Sequence, residues 1–141
     1  MQHFKKILLI EDDEVSAYVT EHVLNEFYKT KIHWVKDGEE AIRFLTDNCQ
    51  NTTINNCPTT IFLDLKMPGT NGFEFLNAIS DDDNFNMTIP IIVLTTSDYP
   101  RDIELAKDYQ VQGYIVKPLT TEKLATIRDE WDNNIVPSII I

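Results

Sequence analysis

Five short, mostly apolar runs punctuate this chain, and each is followed by a stretch whose apolar residues recur at helical spacing. The runs are KILLI (Lys6–Ile10), KIHWV (Lys31–Val35), TIFL (Thr60–Leu63), PIIVL (90–94) and GYIV (Gly113–Val116). Runs of four or five apolar residues suit strands covered on both faces. Strands alternating with helices need crossover connections, which make the pairing parallel and put helices on both sides of the sheet. The pattern therefore predicts an α/β fold, a doubly wound five-stranded parallel sheet.

The helical stretches carry their own signals. Val15, Tyr18, Val19, Val23, Leu24 and Phe27 form one stripe. Asp37 reads as an N-cap with Glu40 in the capping-box position, opening a second helix that ends near Thr46. Phe73, Leu76 and Ile79 mark a third helix over 72–80. Pro100 opens a fourth, and Thr120 caps a fifth that runs to about Trp131. Residues 47–58, DNCQNTTINNCP, read as a long polar loop on the side away from the strand ends that carry acids. Residues 80–87 read as another loop, and Gly69 and Gly72 as turn residues. No linker to a second domain is visible. The chain divides into a domain over 1–134 and a tail over 135–141. The tail, IVPSIII, is apolar and β-prone, and Pro137 makes it a poor central strand. It is expected to lie against the domain or across a partner chain, near the last helix.

A length of 141 residues suits one domain with a proper core. No apolar run is long enough to span a bilayer, and the apolar start ends in acids without a cleavage site, so a cytoplasmic protein is expected. In that setting Cys49 and Cys57 are expected to be free thiols, and the sequon at Asn51 means little. No His or Cys cluster has zinc spacing, and His3, His22 and His33 read as structural or exposed. A formal net charge of −11 repels nucleic-acid phosphates, and no basic stripe offsets it.

In an open parallel sheet, ligands bind beyond the carboxyl ends of the strands. After the first strand come Glu11, Asp12 and Asp13; after the third, Asp64; after the fourth, Thr95 and Thr96; after the fifth, Lys117 and Pro118. Carboxylates crowded at one edge repel, and a hard cation such as Mg²⁺ relieves them. Asp64 then has three possible jobs: metal ligand, nucleophile toward a phosphoryl group, or both. Lys117 would neutralise charge on transferring oxygens and Thr95 would hydrogen-bond one of them.

LLIEDDE, FLDLKMPGTNGFEFL, IIVLTTS and GYIVKPL, in that order after the expected strands, resemble the receiver domain of two-component response regulators. The resemblance runs from about Lys5 to Trp131 and points to the stand-alone type. It implies strand order 2-1-3-4-5, Asp64 as phosphoacceptor, and Glu11 and Asp12 as the acidic pair, with Asp12 the direct Mg²⁺ ligand. The backbone carbonyl of Lys66 would be a further ligand. Thr95 and Lys117 would contact the phosphoryl group, Tyr114 matches the aromatic switch position, and the Lys117–Pro118 bond would be cis. If the alignment slips by one residue, Asp12 and Asp13 become the pair. Taken alone, Asp13 and Glu14 read as first-turn acids of the first helix, and Tyr114 as a half-buried strand residue.

The function expected is an Mg²⁺-dependent phosphoryl-accepting switch, catalysing only its own aspartyl phosphorylation and dephosphorylation. The donor would be a sensor histidine kinase, such as a bacteriophytochrome, or a histidine phosphotransfer protein. A face of helix four, strand five and helix five would signal to a separate protein, from a monomer or homodimer. A haloacid-dehalogenase-type phosphatase would want a second Asp two residues after Asp64, where this chain has Lys66. A flavodoxin-like cofactor binder would want a Gly- and hydroxyl-rich loop where this chain has EDDE.

Overall fold

A computed structural model describes residues 2–49, 56–67, 71–81 and 89–141. The expectations for Asn51, Gly69 and most of the 80–87 loop fall outside them. A short 3₁₀ turn, Gln2–Phe4, precedes β1 (Lys6–Ile10), α1 (Glu14–Phe27), β2 (Lys31–Val35), α2 (Gly38–Cys49), β3 (Thr60–Leu63) and α3 (Gly72–Asp81). Then come β4 (Ile91–Thr95), α4 (Pro100–Asp108), β5 (Gly113–Val116), α5 (Thr121–Asp132) and β6 (Ser138–Ile140). The strands form one sheet in the order β2-β1-β3-β4-β5-β6, and each pairing is parallel.

Alternation along each strand divides the core in two. Leu8, Ile10, Ile61, Leu63 and Val93 pack with Ala41, Leu45, Phe75, Leu76 and Ala106, so α2, α3 and α4 cover one face. Ile7, Leu9, Phe62, Ile92, Leu94 and Ile115 pack with Ala17, Leu24, Leu124 and Ile127, so α1 and α5 cover the other. Each of the Val, Leu, Ile and Phe side chains among them, fully buried, is worth about 1.5–3 kcal/mol. The helix starts are capped as their sequences prescribe. Asp37 Oδ1 accepts from Glu40 N–H while Glu40 Oε2 accepts from Lys36 N–H, and Thr120 Oγ1 accepts from Lys123 N–H.

Four local expectations need correcting. In α1 the buried face is Ala17, Thr20 and Leu24, while Val15 and Tyr18 are both 71% exposed. Of the predicted stripe, Val23, Leu24 and Phe27 do pack on the core, while toward the start of the helix the small Ala17 and Thr20 take the buried positions in place of Val15, Tyr18 and Val19. α2 continues past Thr46 to Cys49, with Asn48 Nδ2 donating to the Phe44 carbonyl. Cys49 and Cys57 are not free thiols but a disulfide. The tail does lie against the domain beside α5, but as a strand, so the sheet has six strands and not five: Ser138, Ile139 and Ile140 pair in register with Gly113, Tyr114 and Ile115. Pro137 precedes this edge strand, so its missing N–H interrupts no ladder. Ser138 N–H instead donates to the Gln112 carbonyl.

The three histidines sit in contacts. His3 stacks on Trp131 at 3.8 Å, His33 on Phe44 at 4.1 Å, and His22 lies 3.2 Å from Glu26.

Candidate functional site

Strand register assembles the site. Ile10 pairs with Leu63, so the next residues, Glu11 and Asp64, leave neighbouring strands side by side. Asp64 N–H donates to the Ile10 carbonyl, holding that exit. Thr95 pairs with Val116, and Lys117 N–H donates to the Thr95 carbonyl at 2.7 Å, which brings the lysine in from the other side.

Glu11, Asp12 and Asp64 each offer a carboxylate oxygen, and these lie within 4.8 Å of one another. Glu11 and Asp64 are buried, and Asp12 is half-buried. Lys117 reaches into the cluster: its Nζ donates to Glu11 Oε1 (2.5 Å), Ser16 Oγ (2.8 Å) and Asp64 Oδ2 (3.3 Å). Asp64 Oδ1 also accepts from Lys66 N–H at 3.1 Å. Trp34 Nε1 donates to the Glu11 carbonyl at 2.7 Å and Glu11 N–H to the Val35 carbonyl, so β2 braces the acidic turn.

Asp13 stands apart. Its Oδ2 accepts from Ser16 N–H at 2.8 Å, the N-cap bond of α1. It is spent on the helix, and Asp12 is the acid that joins Glu11 and Asp64.

Electrostatics follow the geometry. Burial drives the Asp64 carboxyl upward; Lys117 opposes that and Glu11 reinforces it, and the result is about 6. Burial works most strongly against charge on Glu11, but the hydrogen bonds with Lys117, Asp64 and Ser16 and the Lys117 charge together outweigh it and hold Glu11 below the usual carboxylate value. Asp12 is raised by burial and by its hydrogen bond with Glu11. Burial disfavours the Lys117 ammonium, yet Glu11 and Asp64 together raise it. Glu11 is thus the ionised partner of Lys117, and Asp64 is the carboxyl whose charge is incompletely compensated. Three hard oxygen donors with such a deficit of positive charge fit a divalent cation such as Mg²⁺.

Thr95 and Tyr114 lie outside the carboxylate cluster, joined to each other through Ser97. The fully buried Thr95 accepts from Ser97 N–H at its Oγ1 (3.3 Å), and the equally buried Tyr114 donates its hydroxyl to the Ser97 carbonyl (2.8 Å). Ser97 Oγ donates to Asp102 Oδ2 of α4 at 2.5 Å. Burial raises the Tyr114 phenol, which keeps it a neutral donor. The Lys117–Pro118 peptide is cis. Lys66 is exposed, with its ammonium 5.7 Å from the Tyr99 ring centroid. Ser16, Trp34 and Ser97 escaped the sequence reading. A serine three residues into α1, beside an acid run, is the one visible hint; Trp34 works on a backbone carbonyl, and Ser97 meets Thr95 and Tyr114 through its own backbone atoms, so neither residue type signals its partner.

Gly72, read as a turn residue, is the first residue of α3, and its N–H donates to the Leu65 carbonyl. A Cβ there would lie 2.7 Å from the Asp64 carbonyl oxygen and 2.9 Å from Leu65 Cα. Backbone atoms cannot swing aside as a side-chain tip can. Gly72→Ala should therefore cost about 1–3 kcal/mol in urea unfolding and weaken whatever chemistry Asp64 performs. Parental stability would mean that the α3 start tolerates displacement.

The response regulator receiver domain family's sequence model matches residues 7–128. The "Probable methanogenesis regulatory protein FilR2" of Methanothrix harundinacea is 30% identical over 125 residues, 88% of this chain and 79% of that protein. The "Response regulator ArlR" of Staphylococcus saprophyticus is 28% identical over 93% of this chain but only 56% of its own length. Among solved structures, a two-component response regulator from Cytophaga hutchinsonii superposes with a TM-score of 0.78 at 26% identity, covering 93% of this chain and 98% of that one. With the fold, the strand-end acids and this match over most of its length, the chain belongs to the response regulator receiver domains of two-component signalling.

Proposed function

We propose that Asp64 accepts a phosphoryl group, with Mg²⁺ bound, from the phosphohistidine of a sensor histidine kinase or a phosphotransfer protein. The observation that carries this reading is the Asp64 carboxylate itself: strand-end, held by Lys66 N–H and Lys117, and flanked by two further acids. An Asp64 oxygen attacks phosphorus, the P–N bond to imidazole breaks, and the imidazole leaves as the neutral base once protonated. Glu11, Asp12, Asp64 and the Lys66 carbonyl would hold Mg²⁺, which would neutralise charge on the phosphoryl oxygens. Lys117 supplies a second positive charge, and Thr95 donates its hydroxyl to a phosphoryl oxygen.

That last contact explains how the state is read. Drawing Thr95 toward the phosphoryl group pulls on its bond with Ser97 N–H, and the Ser97 carbonyl holds Tyr114. Tyr114 and α4, the latter through Asp102, then shift together, altering a face of α4, β5 and α5 toward a downstream protein. Because β6 pairs with β5, residues 135–141 form an added edge to that face of a switch carried by 1–134. The exposed Val15, Tyr18 and Val19, on the helix that starts beside Asp64, offer the donor an apolar stripe.

Lys66 occupies the place where a phosphatase of related fold would keep its acid–base Asp, which supports a switch without turnover of external substrates. The acidic surface favours protein partners over nucleic acid, and the reading fits a cytoplasmic monomer or homodimer. Among the described residues no helix is long and apolar enough to cross a membrane.

The test is labelling with a small phosphodonor, followed by intact-mass measurement. One phosphate is expected with Mg²⁺ and none in EDTA. Removing an outer-shell partner costs a metal site roughly 10–100-fold, so removing a direct ligand in Asp12→Ala should cost no less. Equal labelling in EDTA would overturn the metal requirement.

A further inference from the structure

Away from Asp64, at the opposite end of β3, two cysteines meet. Cys49 is the last residue of α2, and Cys57 lies on the extended segment that leads into β3. Their Cα atoms are 4.8 Å apart, within disulfide range, and the bond closes a sequence separation of eight. Both residues are half-buried, so a small reagent can reach them.

We propose that Cys49 and Cys57 are a reversible dithiol–disulfide site, open to small anionic disulfides of the glutathione class and independent of phosphorylation. Three observations converge on it. The first is that the fold presents the two sulfurs to each other. Cys49 packs against the core cluster on the α2 side, while Thr59 N–H donates to the Lys6 carbonyl and Lys6 N–H donates to Thr59 Oγ1. With both backbones anchored, the reduced thiols stay at high effective concentration.

The second is the setting. Asn48, Asn56 and Pro58, the chain neighbours of the two cysteines, line a cavity of about 400 Å³ together with Lys6, Lys31 and His33. Register places Lys6 beside Lys31 on adjacent strands. In a chain of net charge −11, two lysines lining one cavity make this the place near the cysteines that best suits an anionic reagent. The third is that the bond ties a connection at the sheet's rim and spans no layer of the core, so both redox states can keep the fold.

The chemistry balances without a further reagent. One cysteine thiolate attacks a sulfur of oxidised glutathione, forming a mixed disulfide and releasing one glutathione thiolate. The second cysteine, its proton given to solvent, attacks the protein sulfur of that mixed disulfide and releases the second glutathione. Two protein thiols are oxidised to one disulfide, and one glutathione disulfide is reduced to two thiols.

The test equilibrates the folded full chain across a series of reduced-to-oxidised glutathione ratios, then alkylates free thiols and reads intact mass and Tm. Conversion from two alkylated cysteines to none is expected within the series. The oxidised form should melt roughly 5–10 °C above the reduced one, since the bond restricts the unfolded chain. Cys49→Ser and Cys57→Ser should each retain one glutathione, and the double variant should show neither mass change nor redox-dependent melting. Full alkylation at every ratio, or a bond that survives the most reducing mixture in the folded protein, overturns the proposal.

Discussion

Asp64→Asn should accept no phosphoryl group and yet melt above the parent at neutral pH in EDTA. The first half follows from the amide, which has no carboxylate oxygen to attack phosphorus; a full phosphate on the variant would remove Asp64 from its role. The second half follows from charge. The Asp64 carboxyl is pushed up to about 6 by burial and by Glu11, against an ordinary value near 3.8. An acid raised on folding binds its proton more tightly in the native state, so native stability falls as pH rises between those two values. Above about pH 6 the parent carries the full penalty; below about pH 4 the carboxyl is protonated folded or unfolded, and the penalty is gone. Asn does not titrate. The stability advantage of the variant should thus be near zero at the acid end, grow through the window and level off above it. The upper bound is set by the shift, and the lost bond with Lys117 subtracts from it, which leaves about 1–2 kcal/mol. Urea unfolding at several pH values reads the curve. A variant less stable than the parent at pH 7.5, or a difference that ignores pH, would contradict the placement of Asp64 as an under-compensated carboxyl. Added Mg²⁺ should narrow the gap by stabilising the parent more.

The same residue shows what sequence can and cannot carry. Asp64 stands out because a charge closing the apolar run Ile61–Phe62–Leu63 is costly unless compensated; alone it reads as a turn or helix cap, and the parallel-sheet inference, which says where such strand ends converge, lifts it above that. Strands covered on both faces announce themselves by composition, so β1, β3, β4 and β5 were legible. Side-chain roles that depend on rotation or on one hydrogen bond were not. Val15 and Tyr18 are apolar yet exposed, because the small Ala17 and Thr20 decide which way α1 faces. Asp12 and Asp13 are the same residue type, and only the cap bond to Ser16 N–H separates the metal-site candidate from the helix cap. The disulfide was missed because the expected compartment argued for thiols, while the pairing depends on α2 running on to Cys49. The tail was legible as apolar and β-prone, but its partner strand was not, since a three-residue edge strand owes its place to β5.

Lys117→Ala should be the most destabilising single change at this site at neutral pH. The side chain is only 16% exposed, and it faces a Glu11 side chain 3% exposed and an Asp64 side chain 9% exposed. Removing one member of a buried ion pair leaves the other's charge without compensation, at about 3–5 kcal/mol. Here two carboxylates are stranded, with Asp12 beside them. The direction with pH can be worked out from both partners. Glu11 is lowered on folding, so its contribution exists above its unfolded value of about 4.5 and is lost as pH falls through the folded one. Lys117 is raised, so its contribution is complete below its unfolded value near 10.5 and fades only above that. The pair therefore works fully at pH 7. In the variant, Glu11 loses its largest stabilising partner and joins Asp64 as a raised carboxyl. Protonating both at pH 4–5 should then return much of the lost stability, so parent and variant converge in acid and diverge toward neutrality. This is opposite in sign to the Asp64→Asn comparison, where the variant is the more stable at neutrality. Paired urea titrations of the two variants separate the site electrostatics from any general loosening of the fold. A Lys117→Ala deficit that stays constant from pH 4.5 to 7.5 would mean that the lysine contributes through packing of its stem and not through the charges it faces.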